Sequence, residues 1–247
     1  MTITLGRLLG DAFAIARREA DIVLRVAGVL LFLPAFALQL LVPGPPPLPA
    51  ARDQAALSGW IDAVGLWAQS NAIWYIVVDA IGLLGVATII LLLVDPGRPD
   101  VRGALARGLR LLPRWALASV LAGIPVGLGL WLFILPGLYM QARLVAAGPV
   151  LFAEQPVSAT GALGRSWRMT GKGAFGLFSA VTTLMLASWL VTNPLYVADT
   201  YLRAPEHANP FIIALVDALI AAAQAAYEVA LALVAIVAWR RLSRQGI

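Results

Sequence analysis

Long apolar runs separated by short polar segments dominate this chain. The runs approach or exceed the ~20 residues that a helix needs to cross the hydrocarbon core of a bilayer. We predict six spans, at Ile22–Val42, Ile73–Val94, Trp115–Leu135, Leu138–Ala153, Ala174–Val197 and Phe211–Trp239. Because the runs are continuous and do not alternate with period two, they indicate helices rather than barrel strands. The pattern predicts an all-α integral membrane protein in which residues 1–247 form one membrane domain.

A second pattern, an apolar stripe at helical spacing, precedes the first, third and fifth spans. Its members are Leu5, Leu8, Leu9, Ala12, Phe13 and Ala16, then Val101, Leu105, Leu109 and Leu112, then Ala159, Leu163 and Trp167. Such stripes are typical of amphipathic helices at a membrane surface. Gly103–Ala116 and Gly161–Ala174 also share six residue identities in register. We predict three repeat units, about 1–97, 98–155 and 156–247, each an interfacial helix followed by a transmembrane hairpin.

The composition and the charge distribution support this reading. Hydrophobic residues make up 61% of the chain and charged residues 13%, too few to cover a soluble domain. Most of the 18 basic residues lie in segments that six spans would place on one side. The positive-inside rule then puts both termini in the cytoplasm. The net charge of +5 is explained by this asymmetry, so we predict no nucleic-acid partner.

Sequence motifs of catalysis are absent from the chain. It contains no H-E-x-x-H, G-x-S-x-G or P-loop motif and no cysteine. The one histidine, His207, lies in a predicted outer loop and receives no role. We therefore predict no enzyme activity, no cofactor and no metal. Ala35–Ala37 has the small-x-small form of a cleavage site, but the acidic residues upstream argue against a signal peptide.

Ionisable residues inside the spans need an explanation, because each costs about 2.5–3.5 kcal/mol at mid-bilayer on insertion scales. Asp79, Arg143 and Asp217 occupy matching positions in the second helix of each predicted hairpin, roughly 9 Å below the outer boundary. Their spacing predicts an Asp–Arg–Asp cluster in which the guanidinium offsets the desolvation of both carboxylates. The alternative is that Arg143 snorkels to the outer headgroups and the aspartates lie near helix N-termini.

A polar stripe also runs along the sixth span. Asp217, Gln224 and Glu228 fall within about 40° of one another on a helix. Such a stripe faces the bundle or a wet cavity, either as a solute or proton path or as polar contacts between helices.

The predicted cytoplasmic helices carry residues suited to anionic lipid headgroups. Basic side chains there contribute about 1 kcal/mol each near a charged surface. The candidates are Arg107, Arg110, Arg114, Arg165, Trp167, Arg168 and Lys172. The alternative is that these residues serve only to fix the topology.

One stretch of about forty residues carries a family resemblance. LPGLYMQAR, Pro149, Glu154 and GALGRSWRMTGK together resemble the glycerophosphoryl diester phosphodiesterase membrane-domain family. The resemblance implies a six-helix protein of the bacterial inner membrane. Some longer relatives carry a soluble phosphodiesterase domain after this one. These 247 residues contain no such domain, so the resemblance implies no phosphodiesterase activity for them.

From these observations we expect a non-enzymatic inner-membrane scaffold or accessory that interacts with lipid. The alternative is a small-solute or ion transporter that uses the Asp/Arg/Glu interior, and a more remote one is a membrane-embedded lipid-processing enzyme. Membrane lipids are the expected partners, with a protein partner or a homo-oligomer left open.

Overall fold

A computed structural model describes residues 4–51, 53–97, 99–204, 206 and 208–243. His207 lies outside these described residues. Ten α-helices occur in them, in this order: α1 Leu5–Arg18, α2 Ala20–Ala27, α3 Leu33–Leu41, α4 Gln54–Val94, α5 Val101–Leu132, α6 Ile134–Leu144, α7 Ala147–Ala153, α8 Ala159–Thr170, α9 Ala174–Leu202 and α10 Pro210–Ser243. A π-helical turn, Gly28–Phe32, joins α2 to α3, and a 3-10 turn, Gly171–Gly173, joins α8 to α9. No strand occurs in these ranges.

Six helical stretches of the described chain are long and apolar enough to cross a membrane. They are Ala20–Leu41, Gln54–Val94, Val101–Leu132, Ile134–Ala153, Ala159–Leu202 and Pro210–Ser243. Each contains or largely overlaps one predicted span, so the prediction of an all-helical, multi-pass membrane protein is confirmed. The second stretch is much longer than expected. Its 41 residues extend about 60 Å, twice the thickness of a hydrocarbon core.

The tryptophans of α4 hold the proline-rich loop before it. Trp60 Nε1 donates to the Pro46 carbonyl oxygen at 3.0 Å, and Trp67 Nε1 donates to the Pro43 carbonyl oxygen at 2.9 Å. A proline-rich segment has few N–H groups, so its carbonyl oxygens lack backbone donors. The two indole N–H groups bind two of these carbonyls instead. The loop therefore packs back along the N-terminal part of α4.

The predicted amphipathic segments differ from one another in the structure. The first is the separate helix α1, and its buried residues are Leu8, Ala12 and Ile15. The second is not a separate helix, because α5 continues from Val101 through Leu132. The third is α8, which begins at Ser158, whose Oγ accepts from the Gly161 N–H. The prediction of a distinct interfacial helix before the third span is therefore wrong at the level of secondary structure.

The predicted spans, which end at Leu135 and begin again at Leu138, leave Pro136 and Gly137 as the turn between the third and fourth spans, and the structure differs. The chain reverses at Phe133, and Pro136 and Gly137 lie in the first turn of α6 rather than in the turn itself. Two glycines allow α5 and α6 to approach closely there. A Cβ on Gly137 would lie 2.4 Å from the Leu130 nitrogen, and one on Gly129 would lie 2.6 Å from the Gly137 nitrogen. Only glycine fits this crossing.

The core gathers where α1, α4, α7 and α9 pack around the C-terminal half of α10. Buried side chains from all five helices meet there, among them Leu8, Ile90, Val150, Leu177 and Ile236. Polar contacts close the same end of the molecule. Arg240 donates to the Leu93 carbonyl oxygen, and Arg241 pairs with Asp11. The described N-terminal and C-terminal helices therefore lie at one end of the bundle.

Candidate functional site

Arg143 lies at the C-terminal end of α6 and faces the C-terminal end of α8. Its Nε donates to Thr170 Oγ1 at 3.2 Å, its Nη1 to Tyr139 Oη at 2.7 Å, and its Nη2 to the Trp167 carbonyl oxygen at 2.5 Å. The guanidinium carbon lies 4.0 Å from the centre of the Trp167 ring and 5.6 Å from that of Tyr139. The two rings stand edge to face, 6.3 Å apart. The arginine is held by neutral groups and by cation–π contacts.

The C-terminal ends of α6 and α8 cap one another. The last carbonyls of a helix have no intrahelical donor. The Arg143 carbonyl oxygen accepts from Ser166 Oγ at 2.9 Å and lies 3.0 Å from Thr170 Oγ1. In return, the Arg143 side chain donates to the carbonyl of Trp167 in the last turn of α8. Pro149, which has no N–H to give to Val145, accounts for the interruption between α6 and α7 that creates the first of these ends.

This geometry overturns the predicted Asp–Arg–Asp cluster. No carboxylate among the described residues lies within 4.0 Å of a nitrogen of Arg143. The guanidinium is bound instead to Tyr139 and to the last turn of α8. The prediction assumed equal depth for the three residues because each lies equally far from a predicted helix start. The helices of the structure differ in length, so the depths differ.

Asp217 has another partner, Arg203, at the end of α9. The Asp217 side chain is fully buried, and both its oxygens accept from Arg203 Nη2, at 2.9 and 3.0 Å. Arg203 Nε donates to Asp199 at 2.8 Å, and Nη2 also reaches the Gln39 carbonyl oxygen at 3.3 Å. The hydrogen bond to Asp199 raises the pKa of Arg203 above its ordinary value, so the cation is retained. The ion triad of Asp199, Arg203 and Asp217 joins α9 to α10, and the Gln39 carbonyl oxygen adds a contact with α3.

The register of α4 against α10 shows that Asp79 and Asp217 lie at different depths. Arg240 bonds Leu93, 147 positions away, and the Cβ position of Gly82 lies 3.9 Å from Glu228 Oε2, at nearly the same offset. The two helices therefore run parallel, and Asp79 is level with about residue 225. Asp217 lies about eight residues, or roughly 12 Å, farther toward the opposite end. The predicted common depth is wrong.

Asp79 faces Glu228 instead. Asp79 lies one helical turn from Gly82, whose Cβ position is 3.9 Å from Glu228 Oε2. Both side chains are exposed on the bundle surface, and neither has a cationic partner within 4.0 Å among the described residues. Measured along the helices, both lie about 18–22 Å from the Leu93–Arg240 contact, within the candidate spans Gln54–Val94 and Pro210–Ser243. Two acidic groups thus lie within about one helical turn of each other along neighbouring candidate spans.

The polar stripe of α10 contacts α9 at two positions and α4 at the third. Asp217 pairs with Arg203, Gln224 Nε2 donates to Tyr196 Oη at 2.6 Å, and Glu228 faces α4. The stripe itself was predicted, and its tyrosine and arginine partners were not. Arg203 lies four residues after Asp199, a spacing that could have indicated an ion pair.

The residues that carry the family resemblance form one connected set of contacts. Tyr139, Arg143, Ser166, Trp167 and Thr170 make up the reciprocal cap. Glu154 accepts from Trp239 Nε1 at 2.9 Å and from Arg165 Nε at 3.2 Å, so it ties α7 to α8 and α10. The motif therefore has a structural explanation that needs no catalytic role.

The seven residues proposed for lipid contact fall into three groups. Arg107 pairs with Asp95 and Arg165 with Glu154, so their charges are already compensated. Trp167 is stacked on Arg143. The other four are exposed and have no carboxylate within 4.0 Å in the described chain: Arg110, Arg114, Arg168 and Lys172.

These features define a multi-pass helical membrane protein with a capped arginine, an ion triad and a pair of neighbouring carboxylates on α4 and α10. Among the described residues, no group of three acidic or histidine side chains could hold a metal ion. The sequence matches no protein-family model, no curated protein and no solved structure.

Proposed function

We propose that this chain is a non-enzymatic accessory or scaffold protein of the bacterial inner membrane that binds anionic phospholipid through one basic end. The observation that carries the proposal is a set of exposed basic side chains without an ion-pair partner in the described residues. They come from α5 and α8: Arg102, Arg110, Arg114, Arg168 and Lys172. A cation that the protein does not neutralise remains available to a lipid phosphate.

The surrounding contacts place these cations at one end of the bundle. Asp95, at the end of α4, pairs with Arg107 of α5, and Glu154 joins Arg165 of α8 to Trp239 of α10. Both ends of the described chain lie there as well, joined by Arg241 and Asp11. By the positive-inside rule this end is cytoplasmic, where anionic lipids give the leaflet a negative surface potential.

The arrangement of the spans as three hairpins is part of the same proposal. Three transmembrane hairpins, each entered from the cytoplasmic end through a basic helix, account for α1, the first half of α5, and α8. The resemblance to the glycerophosphoryl diester phosphodiesterase membrane domain supports this plan and the inner-membrane location. The basic helices then act as a surface that gathers anionic lipid or holds a partner beside it.

Spin-labelled lipids test this function. In mixed vesicles, the wild-type chain is expected to hold labelled phosphatidylglycerol at its surface more strongly than labelled phosphatidylcholine. At about 1 kcal/mol for each basic side chain, R102Q/R110Q/R114Q should remove most of that preference. The matched control, D21N/R25Q, deletes an ion pair that is already neutral and should keep the preference. Equal association of both lipids with the wild type would refute the proposal.

A second candidate function, proton- or cation-coupled transport, is favoured by the Asp79–Glu228 pair. Two like charges without a cation cannot both stay ionised cheaply inside a bilayer, so a proton or a cation balances them. Uptake by proteoliposomes under an imposed pH gradient tests this candidate. Coupled flux that is lost in both D79N and E228Q supports transport. Identical flux in D79N, E228Q and the wild type excludes the pair from it.

A further inference from the structure

We propose that Arg143, Trp167 and Lys172 form a binding site for the phosphate group of one phospholipid. The inference rests on the proposed function in one respect, since it names the place where a single lipid is held. It differs in mechanism, because it requires a phosphate and not a net negative lipid.

The first argument is charge. The Arg143 guanidinium is always ionised, and the groups that bind it are a phenol, a hydroxyl and a backbone carbonyl, all neutral. An uncompensated cation in a span is costly, and the described residues offer no carboxylate within 4.0 Å of it. An anion from outside the chain fits this requirement.

The second argument is the number of donors. A guanidinium has five N–H groups, and three of those of Arg143 meet protein acceptors. One N–H remains on each of the two terminal nitrogens, which is the pair that binds a phosphate in a fork. Trp167 covers one face of the guanidinium at 4.0 Å, so the planar group is fixed in orientation.

The third argument is access. Gly171, in the turn after α8, has no side chain, and its Cβ position lies 3.6 Å from Arg143 Nη2, so the turn leaves this side of the arginine uncovered. Lys172 follows immediately, exposed and without an ion-pair partner in the described residues. Arg168, which follows Trp167, is also exposed and without an ion-pair partner in the described residues. Along the chain, Arg168 and Lys172 therefore flank Thr170 and Gly171, the residues that lie against Arg143.

The surface beside Arg143 is apolar and suits acyl chains. Tyr139 and Trp167 are about 39% and 36% exposed, and the neighbouring Leu135 and Phe175 are 64% and 83% exposed. Leu135, Tyr139 and Arg143 repeat at four-residue intervals along α6 and so share one face of the helix. A lipid whose phosphate meets Arg143 can lay a chain along this face.

Native mass spectrometry of the full chain in detergent tests the site. We expect one phospholipid to be retained per protein, with phosphatidylglycerol and phosphatidylcholine retained alike at this one position. Diacylglycerol, which lacks the phosphate, should bind at least tenfold more weakly. Inorganic phosphate should not displace the lipid, and its displacement of the lipid at equal concentration would assign the site to free phosphate and overturn the proposal.

Two variants separate binding from folding. R143Q is expected to lose the retained lipid. Because R143Q also removes three hydrogen bonds within the protein, a second variant, K172Q, tests the site without that loss. Lys172 is exposed and has no ion-pair partner among the described residues, so K172Q should keep the wild-type unfolding temperature and lower lipid affinity several-fold. R7Q, which neutralises an exposed arginine on α1, is the control. Lipid retention unchanged in both R143Q and K172Q would refute the site. If the wild type shows no preference for phosphatidylglycerol in the spin-label experiment, the proposed function fails. The phosphate site does not depend on that preference and would still be supported by the retained lipid.

Discussion

Arg203 closes over Asp217, a fully buried carboxylate, at 2.9 and 3.0 Å. Removing one partner of such a pair leaves an uncompensated charge. R203Q should therefore destabilise the protein by about 3 kcal/mol, the low end of the range for buried pairs, because Arg203 itself is partly exposed. Thermal unfolding in detergent measures the loss.

The double variant R203Q/D217N tests the cause of that loss. If the cost comes from the unpaired carboxylate, neutralising it should restore a large part of the stability. A double variant as unstable as R203Q alone would mean that packing, rather than charge, explains the effect.

The hydroxyl groups of α8 should contribute stability through the Arg143 backbone. S166A removes the donor to the Arg143 carbonyl oxygen, and T170V removes the acceptor of Arg143 Nε. Each should cost about 1 kcal/mol, the net value of one hydrogen bond. T192V is the matched control, since that hydroxyl bonds only its own helix at Ser188 and should change stability little. Equal losses in T192V and T170V would contradict the reciprocal cap.

The α5–α6 crossing should not tolerate a methyl group. G137A would place a Cβ 2.4 Å from the Leu130 backbone, so the helices must separate at a cost of about 1–3 kcal/mol. G127A is the control on the neighbouring helix. No atom lies within 4 Å of its Cβ position, so alanine should be neutral or slightly stabilising through helix propensity. Differential unfolding of the two variants measures the comparison.

The absence of cysteine makes the topology directly measurable. Single cysteines at Leu48, in the loop before α4, and at Thr160, in the first turn of α8, are both exposed. In intact bacterial cells, a membrane-impermeant maleimide should label L48C and should reach T160C only after the inner membrane is permeabilised. Labelling of both sites from the same side would overturn the six-span threading.

The family-like motif illustrates how far residue patterns can be interpreted. The sequence singled out Tyr139, Arg143, Trp167 and Glu154 as a connected signature. It assigned Arg143 to carboxylates on other spans, because equal distances from predicted helix starts suggested equal depth. In the structure, Arg143 binds the C-terminal end of α8, and no rule based on residue spacing predicts that contact.

The sequence by itself determined the class of protein, because the length of an apolar run and the cost of burying charge act locally and need no knowledge of neighbours. It also determined the gathering of basic residues at one end and the polar face of the last helix. Only the tertiary structure decided which charges meet. Arg203 reaches Asp217, and Glu228 faces Asp79, because helix lengths and the register of α4 against α10 set the depths. Register depends on side-chain packing between distant segments, so small errors in predicted helix ends move an ionisable group by a full turn.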